Sequence, residues 1–145
     1  MKVSFVKLHP DAVMPTYGSS CAAGADLYAL AEEDILIGAG KTVFVRTGIA
    51  MEIPEGYVGL IFARSSMGAK RNLAPANKVG VIDSDYRGEI QVVLHNHGAT
   101  DQTVCPGERI AQLVIVPYLR AEFTECTSLS DTERGEGGFG STGRT

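Results

Sequence analysis

Gly80-Val81-Ile82-Asp83-Ser84-Asp85-Tyr86-Arg87-Gly88-Glu89-Ile90 sets a short polar turn between two apolar runs. Apolar residues lead in, an Asp-Ser-Asp-Tyr turn follows, and Ile90, Val92 and Leu94 then recur at every second position. A period of two belongs to a strand with one buried face. The pattern predicts a β-hairpin whose tip carries Asp83, Asp85, Tyr86 and Arg87. Asp and Ser are ordinary turn residues, so two carboxylates at a tip need no chemistry. Tyr86 and Arg87 beside them point the other way, because a large aromatic at a tip needs something to pack against.

Outward from this stretch the periodicity remains that of strands. Val43 and Val45 alternate with Thr42, Phe44 and Arg46, and Ile49, Met51 and Ile53 alternate with Ala50 and Glu52. Tyr57 to Ala63 is a run of apolar residues and glycine, which predicts a strand buried on both faces. Glu89 to His95 and Arg109 to Val116 read the same way. Turn signals at Gly38–Lys41, Pro54–Gly56, Asp85–Gly88, Gly98-Ala99 and Pro106-Gly107 separate them. Many short strands at such spacing predict an all-β sandwich or barrel. The best helix candidate is Ser66 to Leu73, a turn or two. No repeat of a solenoid or propeller is visible.

With 145 residues the chain has room for one domain and one core. The net charge of −4 gives no global positive field, which argues against nucleic acid and anionic lipid as partners. Any anion must be gripped by a local cluster. No apolar run is long enough to cross a membrane as a helix. The first residues, Met1 to Lys7, lack the apolar core of a secretory signal. Cys21, Cys105 and Cys126 are odd in number and far apart, which argues against a disulfide framework or structural zinc and predicts a reducing cytoplasm.

Composition shifts near Thr127, which divides the chain into a β-domain of residues 1–126 and a C-terminal arm of residues 127–145. Arg134 to Gly143 holds five glycines and almost no apolar residue, so it cannot form a packed element. Either it is a disordered tail, or Phe139 lies on a flat ring while glycine N–H groups and the Ser141 and Thr142 hydroxyls meet phosphate. It is no Walker loop, for Gly-Lys-Ser/Thr is missing.

Three other stretches place polar residues among apolar ones. Asp26, in Ala23–Tyr28, fits a turn residue, an orienter of an arginine or a partner of metal-bound water. Arg64-Ser65-Ser66 closes an apolar strand. Arg64 fits a surface ion pair with Ser65 as a helix cap, or the three together form a phosphate grip. Gln112, inside the apolar run of Gly107–Val114, fits buried structure or a ligand contact. His95 and His97 share a strand face, yet a zinc site needs at least a third ligand, and none lies at a supporting spacing.

Taken together, Ala23–Ala29, Ala63–Gly68, Gly80–Ile90, Gly107–Ile115 and Arg134–Gly143 resemble the five motifs of the trimeric deoxyuridine triphosphatases (dUTPases), in the family's order and over nearly the whole chain. The third and fifth are the most specific. The resemblance implies a jelly-roll-like distorted β-barrel subunit with one short helix and a flexible Gly-rich arm. It implies a homotrimer with active sites shared between subunits, and conversion of dUTP and water to dUMP and pyrophosphate with Mg²⁺. By motif, Asp83 is the general base for the attacking water. The hairpin Asn77–Tyr86, with Gly80, Val81 and Ile82, holds uracil largely by backbone groups, and Tyr86 lies against the deoxyribose. Arg64, Ser65, Ser66 and Gln112 contact phosphates. From the tail of another subunit, Arg134, Gly140, Ser141, Thr142 and Gly143 add phosphate contacts and Phe139 stacks on uracil. Asp26 reaches the metal only through water. The alternatives are a dCTP deaminase-like enzyme, similar to this family in fold, and a trimer that binds dUTP without hydrolysing it.

Overall fold

Nine residues, Arg109–Pro117, form the longest strand, and the other elements are laid out around it. The computed structural model describes residues 1–138. Within them the strands run β1 (Ser4–Lys7), β2 (Thr16–Tyr17), β3 (Ala25–Tyr28), β4 (Ile35–Ile37), β5 (Thr42–Arg46), β6 (Ile49–Glu52), β7 (Tyr57–Ala63), β8 (Leu73–Pro75), β9 (Gly80–Ile82), β10 (Gln91–Asn96), β11 (Gln102–Val104) and β12 (Arg109–Pro117). One short helical turn, Ser66–Lys70, stands between β7 and β8. None of the described helices is long and apolar enough to cross a membrane.

Five strands form the largest sheet in the order β2-β3-β12-β7-β9, and β5-β10-β8 form a second. Two-stranded ladders β1-β6 and β11-β4 complete the wall. Spatial neighbours are mostly distant in sequence, so the chain crosses repeatedly between sheets, as in a jelly roll. The inward residues meet in one core. Leu27, Ile37, Val45, Ile49, Leu73, Val92, Leu94, Val104 and Ile110, from eight different strands and both large sheets, are each no more than 1% exposed. Burying side chains of this size contributes about 1.5–3 kcal/mol apiece.

Three expectations need correction. Gly80–Ile90 is not a hairpin: β9 pairs with β7, whereas β10 pairs with β5 and β8. Tyr86 N donates to Asp83 O at 3.2 Å, so the turn itself is real, but the chain then crosses to the other sheet. Core burial drives that crossing. Ile90, 1% exposed, donates its N–H to Ile49 O, and Val92 and Leu94 follow it inward. The segment Asn77–Tyr86 is likewise no hairpin: it contains β9, whose partner β7 lies outside it, and β8 just before it belongs to the other large sheet. The helix is shorter than Ser66–Leu73, being a five-residue π-type turn, because Leu73 leaves it to be buried as the first residue of β8. Finally, β7 has the expected bounds, but neither it nor β10 nor β12 is buried on both faces. Phe62 is exposed and Leu60 half-buried, Val93 and His95 are half-buried, and so are Gln112, Val114 and Val116.

Strand structure ends at Pro117. Beyond it Leu119, Phe123 and Leu129 are almost fully exposed. The three cysteines are free and exposed.

Gly48, between β5 and β6, has φ +67°, the left-handed region that favours glycine. A Cβ there would lie 2.7 Å from both the Ala12 Cβ and a Leu30 methyl. Gly48→Ala therefore combines backbone strain with overpacking and is expected to destabilise by about 2–4 kcal/mol. A urea unfolding midpoint equal to that of the parent protein would contradict this account of the corner.

Candidate active site

The polar cluster on the large sheet is assembled by β12 from both of its neighbours. Gln112 stands opposite Asp26 of β3 on one side and Phe62 of β7 on the other. Directly opposed residues share a face of the sheet, as do residues two apart along a strand. Asp26, Gln112 and Arg64 are thus brought to one face. Gly24 leaves room for this, since a Cβ on it would lie 3.1 Å from the Gln112 Cβ.

A register shift adds a second arginine. Ala111 pairs with Leu27, but Arg109, rather than Ile110, pairs with Tyr28. The extra residue is a β-bulge, and it reverses the facing of everything beyond it. Three residues from Gln112, Arg109 would point away in a regular strand. Past the bulge it points with Tyr28, and therefore with Asp26. Ile110 and Ala111 are both fully buried at the kink.

Asp26 is the hub. It is 3% exposed, and its Oδ1 accepts from Arg64 Nε at 2.9 Å and Gln112 Nε2 at 3.4 Å. Its Oδ2 accepts from Arg109 Nη1 at 3.2 Å. Arg64 Nη1 also reaches Ser66 Oγ and the Arg109 carbonyl, each at 3.4 Å. Ser65 makes no capping hydrogen bond to the helical turn. Of the readings open for these residues, Asp26 orients arginines from within a strand, and Ser65 is not a cap. The result is a cationic shelf of two guanidiniums, the Ser66 hydroxyl and an amide, held by one buried carboxylate, with Ser65 exposed beside it.

Asp83 belongs to a different region. It lines a groove of about 1040 Å³ together with Glu52, Val81, Asp85, Arg87, Tyr118 and others, and Arg64, Ser65, Ser66 and Gln112 are not in that lining. Arg87 fixes the turn that carries it, donating to Ser84 O at 2.6 Å, to Tyr86 O at 3.1 Å and to Glu52 at 3.2 Å. These bonds hold the backbone and leave the Asp83 carboxylate facing the groove. Tyr86 has found its packing surface: its hydroxyl donates to Glu89 O at 3.0 Å. Its ring lies where a Cβ on Gly88 would stand, 2.4 Å from the hydroxyl. Asn77 is exposed, and Lys78 beside it takes the left-handed φ of 66°.

The two polar regions stand at opposite ends of β7. Ile82, next to Asp83, pairs with Gly59, five residues before Arg64. At a strand rise of ~3.3 Å per residue, about 17 Å of backbone lies between them. Arg134 closes a local turn by donating to Gly137 O at 2.8 Å. Phe139, Gly140, Ser141, Thr142 and Gly143 lie outside the described residues. Arg109, Glu108 and Arg71 were missed by sequence reasoning. Arg109 stands inside the fourth motif, but only the bulge reveals its direction.

His95 and His97 meet edge to face at 4.3 Å, and His95 Nδ1 shares a 2.8 Å hydrogen bond with Thr42. Local desolvation, followed by the charges of Lys78 and His95, holds His97 below the ordinary imidazole range. Among the described residues no group of three or more His, Cys, Asp or Glu could hold a metal ion. Both Asp26 oxygens are taken by cations or amide. The described donor set therefore offers no cage of its own for a metal.

A profile of the dUTPase family matches residues 11–143. The deoxyuridine 5'-triphosphate nucleotidohydrolase of Hydrogenobaculum sp. (strain Y04AAS1) is 46% identical over 143 residues, 99% of each chain. That of Anaplasma marginale (strain St. Maries) is 46% identical over 130 residues, 90% of this chain and 88% of its own. Among solved structures, a Staphylococcus bacteriophage 80alpha dUTPase with dUPNHPP superposes with a TM-score of 0.89 at 29% identity, covering 98% of both chains.

Removing a buried carboxylate that serves two arginines leaves their charges uncompensated. Asp26→Ala is expected to lower stability by at least about 2 kcal/mol. Chemical denaturation checks this, and an unchanged midpoint would show that Asp26 is not the hub.

Proposed function

The chain belongs to the dUTPase family and cleaves dUTP to dUMP and pyrophosphate, and on that premise we propose how its own residues divide the work. The observation that carries the activity is the 46% identity extending over 99% of both chains, which leaves no part of the relative's site without a counterpart region. The residue roles rest on the motifs and on the geometry described above.

Asp83 is the general base. Its exposed carboxylate, on a turn braced by Arg87, takes a proton from the water that attacks the α-phosphorus. Proton transfer to a positioned base contributes about 10²–10⁴-fold. No covalent intermediate is required, because phosphoryl transfer depends chiefly on alignment and on charge stabilisation. Arg64, Ser65, Ser66 and Gln112 supply the second of these as the phosphate shelf. Asp26 holds Arg64 in its direction and stays an outer partner of Mg²⁺, touching it only through water. Bound to the triphosphate, Mg²⁺ would offset charge on the phosphate oxygens.

The segment Asn77–Tyr86 is proposed to read uracil, with Gly80, Val81 and Ile82 offering backbone groups. Cytosine reverses the donor and acceptor at one edge, which leaves buried groups unpaired. Tyr86, held by Glu89 O and by the space over Gly88, stands against the deoxyribose and excludes a 2′-hydroxyl by contact. Phe139 is proposed to stack on the base. Arg134, Gly140, Ser141, Thr142 and Gly143 close over the phosphates.

Separation of Asp83 from the shelf favours a homotrimer in which one subunit provides Asp83 and Tyr86 and a neighbour provides Arg64, Ser65, Ser66 and Gln112. The body of residues 1–126 then forms the trimer, and residues 127–145 reach the site of another subunit. Exposed thiols on such a body suit a reducing cytoplasm.

Release of pyrophosphate and nucleoside monophosphate, measured with dUTP, dCTP, dTTP and UTP in Mg²⁺ and in chelator, tests the reading. Metal-dependent dUMP formation from dUTP alone is expected. Ammonia from dCTP would make the protein a deaminase, and tight dUTP binding without turnover would make it a sensor. In the same assay Asp83→Asn should bind dUTP normally and lose about 10²-fold or more in kcat. Parental kcat in that variant would remove Asp83 from the role of base.

A further inference from the structure

The helical turn Ser66–Lys70, which follows Ser65, is tied at its start to Arg109, the first residue of β12, and at its end to Glu108 just before that strand. At its start, Arg64 Nη1 donates to the Arg109 carbonyl at 3.4 Å. At its end stands Arg71, whose guanidinium engages four partners. Nε donates to Gln102 Oε1 at 3.2 Å, Nη2 to the Thr103 carbonyl, and Nη1 to Glu108 and to the Met67 sulfur. Glu108 is itself fixed, since its Oε2 accepts from Cys105 N at 3.0 Å and its carbonyl accepts from Ala29 N at 2.8 Å. Met67, the third anchor of the turn, is 2% exposed in the core.

We propose that Arg71 is a positioning residue for the triphosphate, clamping the Ser65–Ser66 turn to Glu108 so that its hydroxyls stay in register with Arg64 and Gln112. The contacts form a closed circuit. Arg71 joins Glu108, Glu108 precedes Arg109, Arg109 joins Asp26, Asp26 joins Arg64, and Arg64 reaches Ser66 in the turn that Arg71 ends. A five-residue helical turn has too few internal hydrogen bonds to hold its own direction. Its aim must come from side chains, and the planar fork of an arginine can meet a carboxylate, a carbonyl and an amide together. Lysine cannot span those partners. Arg71 does not belong to the shelf itself, so its action is through the turn. The inference rests on the reading that Ser65 and Ser66 bind phosphate.

Steady-state kinetics on the full chain separate the two. Arg71→Ala is expected to raise KM for dUTP about tenfold with kcat within about twofold, and Arg71→Lys to recover only part of the loss. Glu108→Ala should match Arg71→Ala. The double variant should show about the same KM rise as either single, not their product, because both remove one clamp. Should Arg71→Ala fail to fold, Arg71→Lys and Glu108→Gln carry the same comparison. Ser66→Ala provides the reference. If Ser66→Ala raises KM and Arg71→Ala does not, the clamp is overturned while the phosphate reading stands. Multiplicative effects in the double variant overturn it as well. If Ser66→Ala leaves KM unchanged, the phosphate reading fails and the clamp's role in the reaction falls with it.

Discussion

One buried carboxylate organises the polar face of this protein. Asp26 sits on β3 with almost no contact with water and is bonded to Arg64, Arg109 and Gln112. A charge so placed is tolerable only if it is fully paired, and the pairing draws together residues from three strands. The bulge before Ala111 makes the second arginine available, and Gly24 gives Gln112 its room. Such a network contributes direction more than net stability. An arginine fixed in advance needs no reorganisation to meet phosphate oxygens, which is what the role proposed for Arg64 requires.

The sequence carried the strands with strong period-two patterns. Thr42–Arg46, Tyr57–Ala63 and Arg109–Pro117 lie where alternation or apolar runs put them. The short strands β1, β2, β4, β8 and β11 were not legible, because two to four residues hold too little of a period to stand out. The misread hairpin at Gly80–Ile90 has a different origin. A turn and its flanking strands look the same whether the second strand pairs with the first or leaves for another sheet. What decides is where Ile90, Val92 and Leu94 find burial, and that is a property of the whole core.

For the site, the motif residues were legible and their directions were not. For Asp26, holding an arginine was one of three open readings, and that it would hold both Arg64 and Arg109 was not legible. Arg109 was concealed by a one-residue register shift, and Arg71 by its place in a connection with no pattern of its own. Tyr86 is the reverse case. The argument that an exposed aromatic needs a surface to pack on found its answer in Gly88 and the Glu89 carbonyl.

In the roles proposed for them, Asp83 and the Arg64 shelf must serve one substrate from opposite ends of β7. Their separation is the basis for assigning them to different subunits of one assembly. Mixing Asp83→Asn and Arg64→Ala proteins under conditions of subunit exchange tests this most directly. If one site takes Asp83 from one copy and Arg64 from another, equal mixing should restore about a quarter of parental dUTP turnover, since that fraction of sites receives two intact halves. Two inactive variants that stay inactive after proven exchange would place both halves in the same chain and contradict the account.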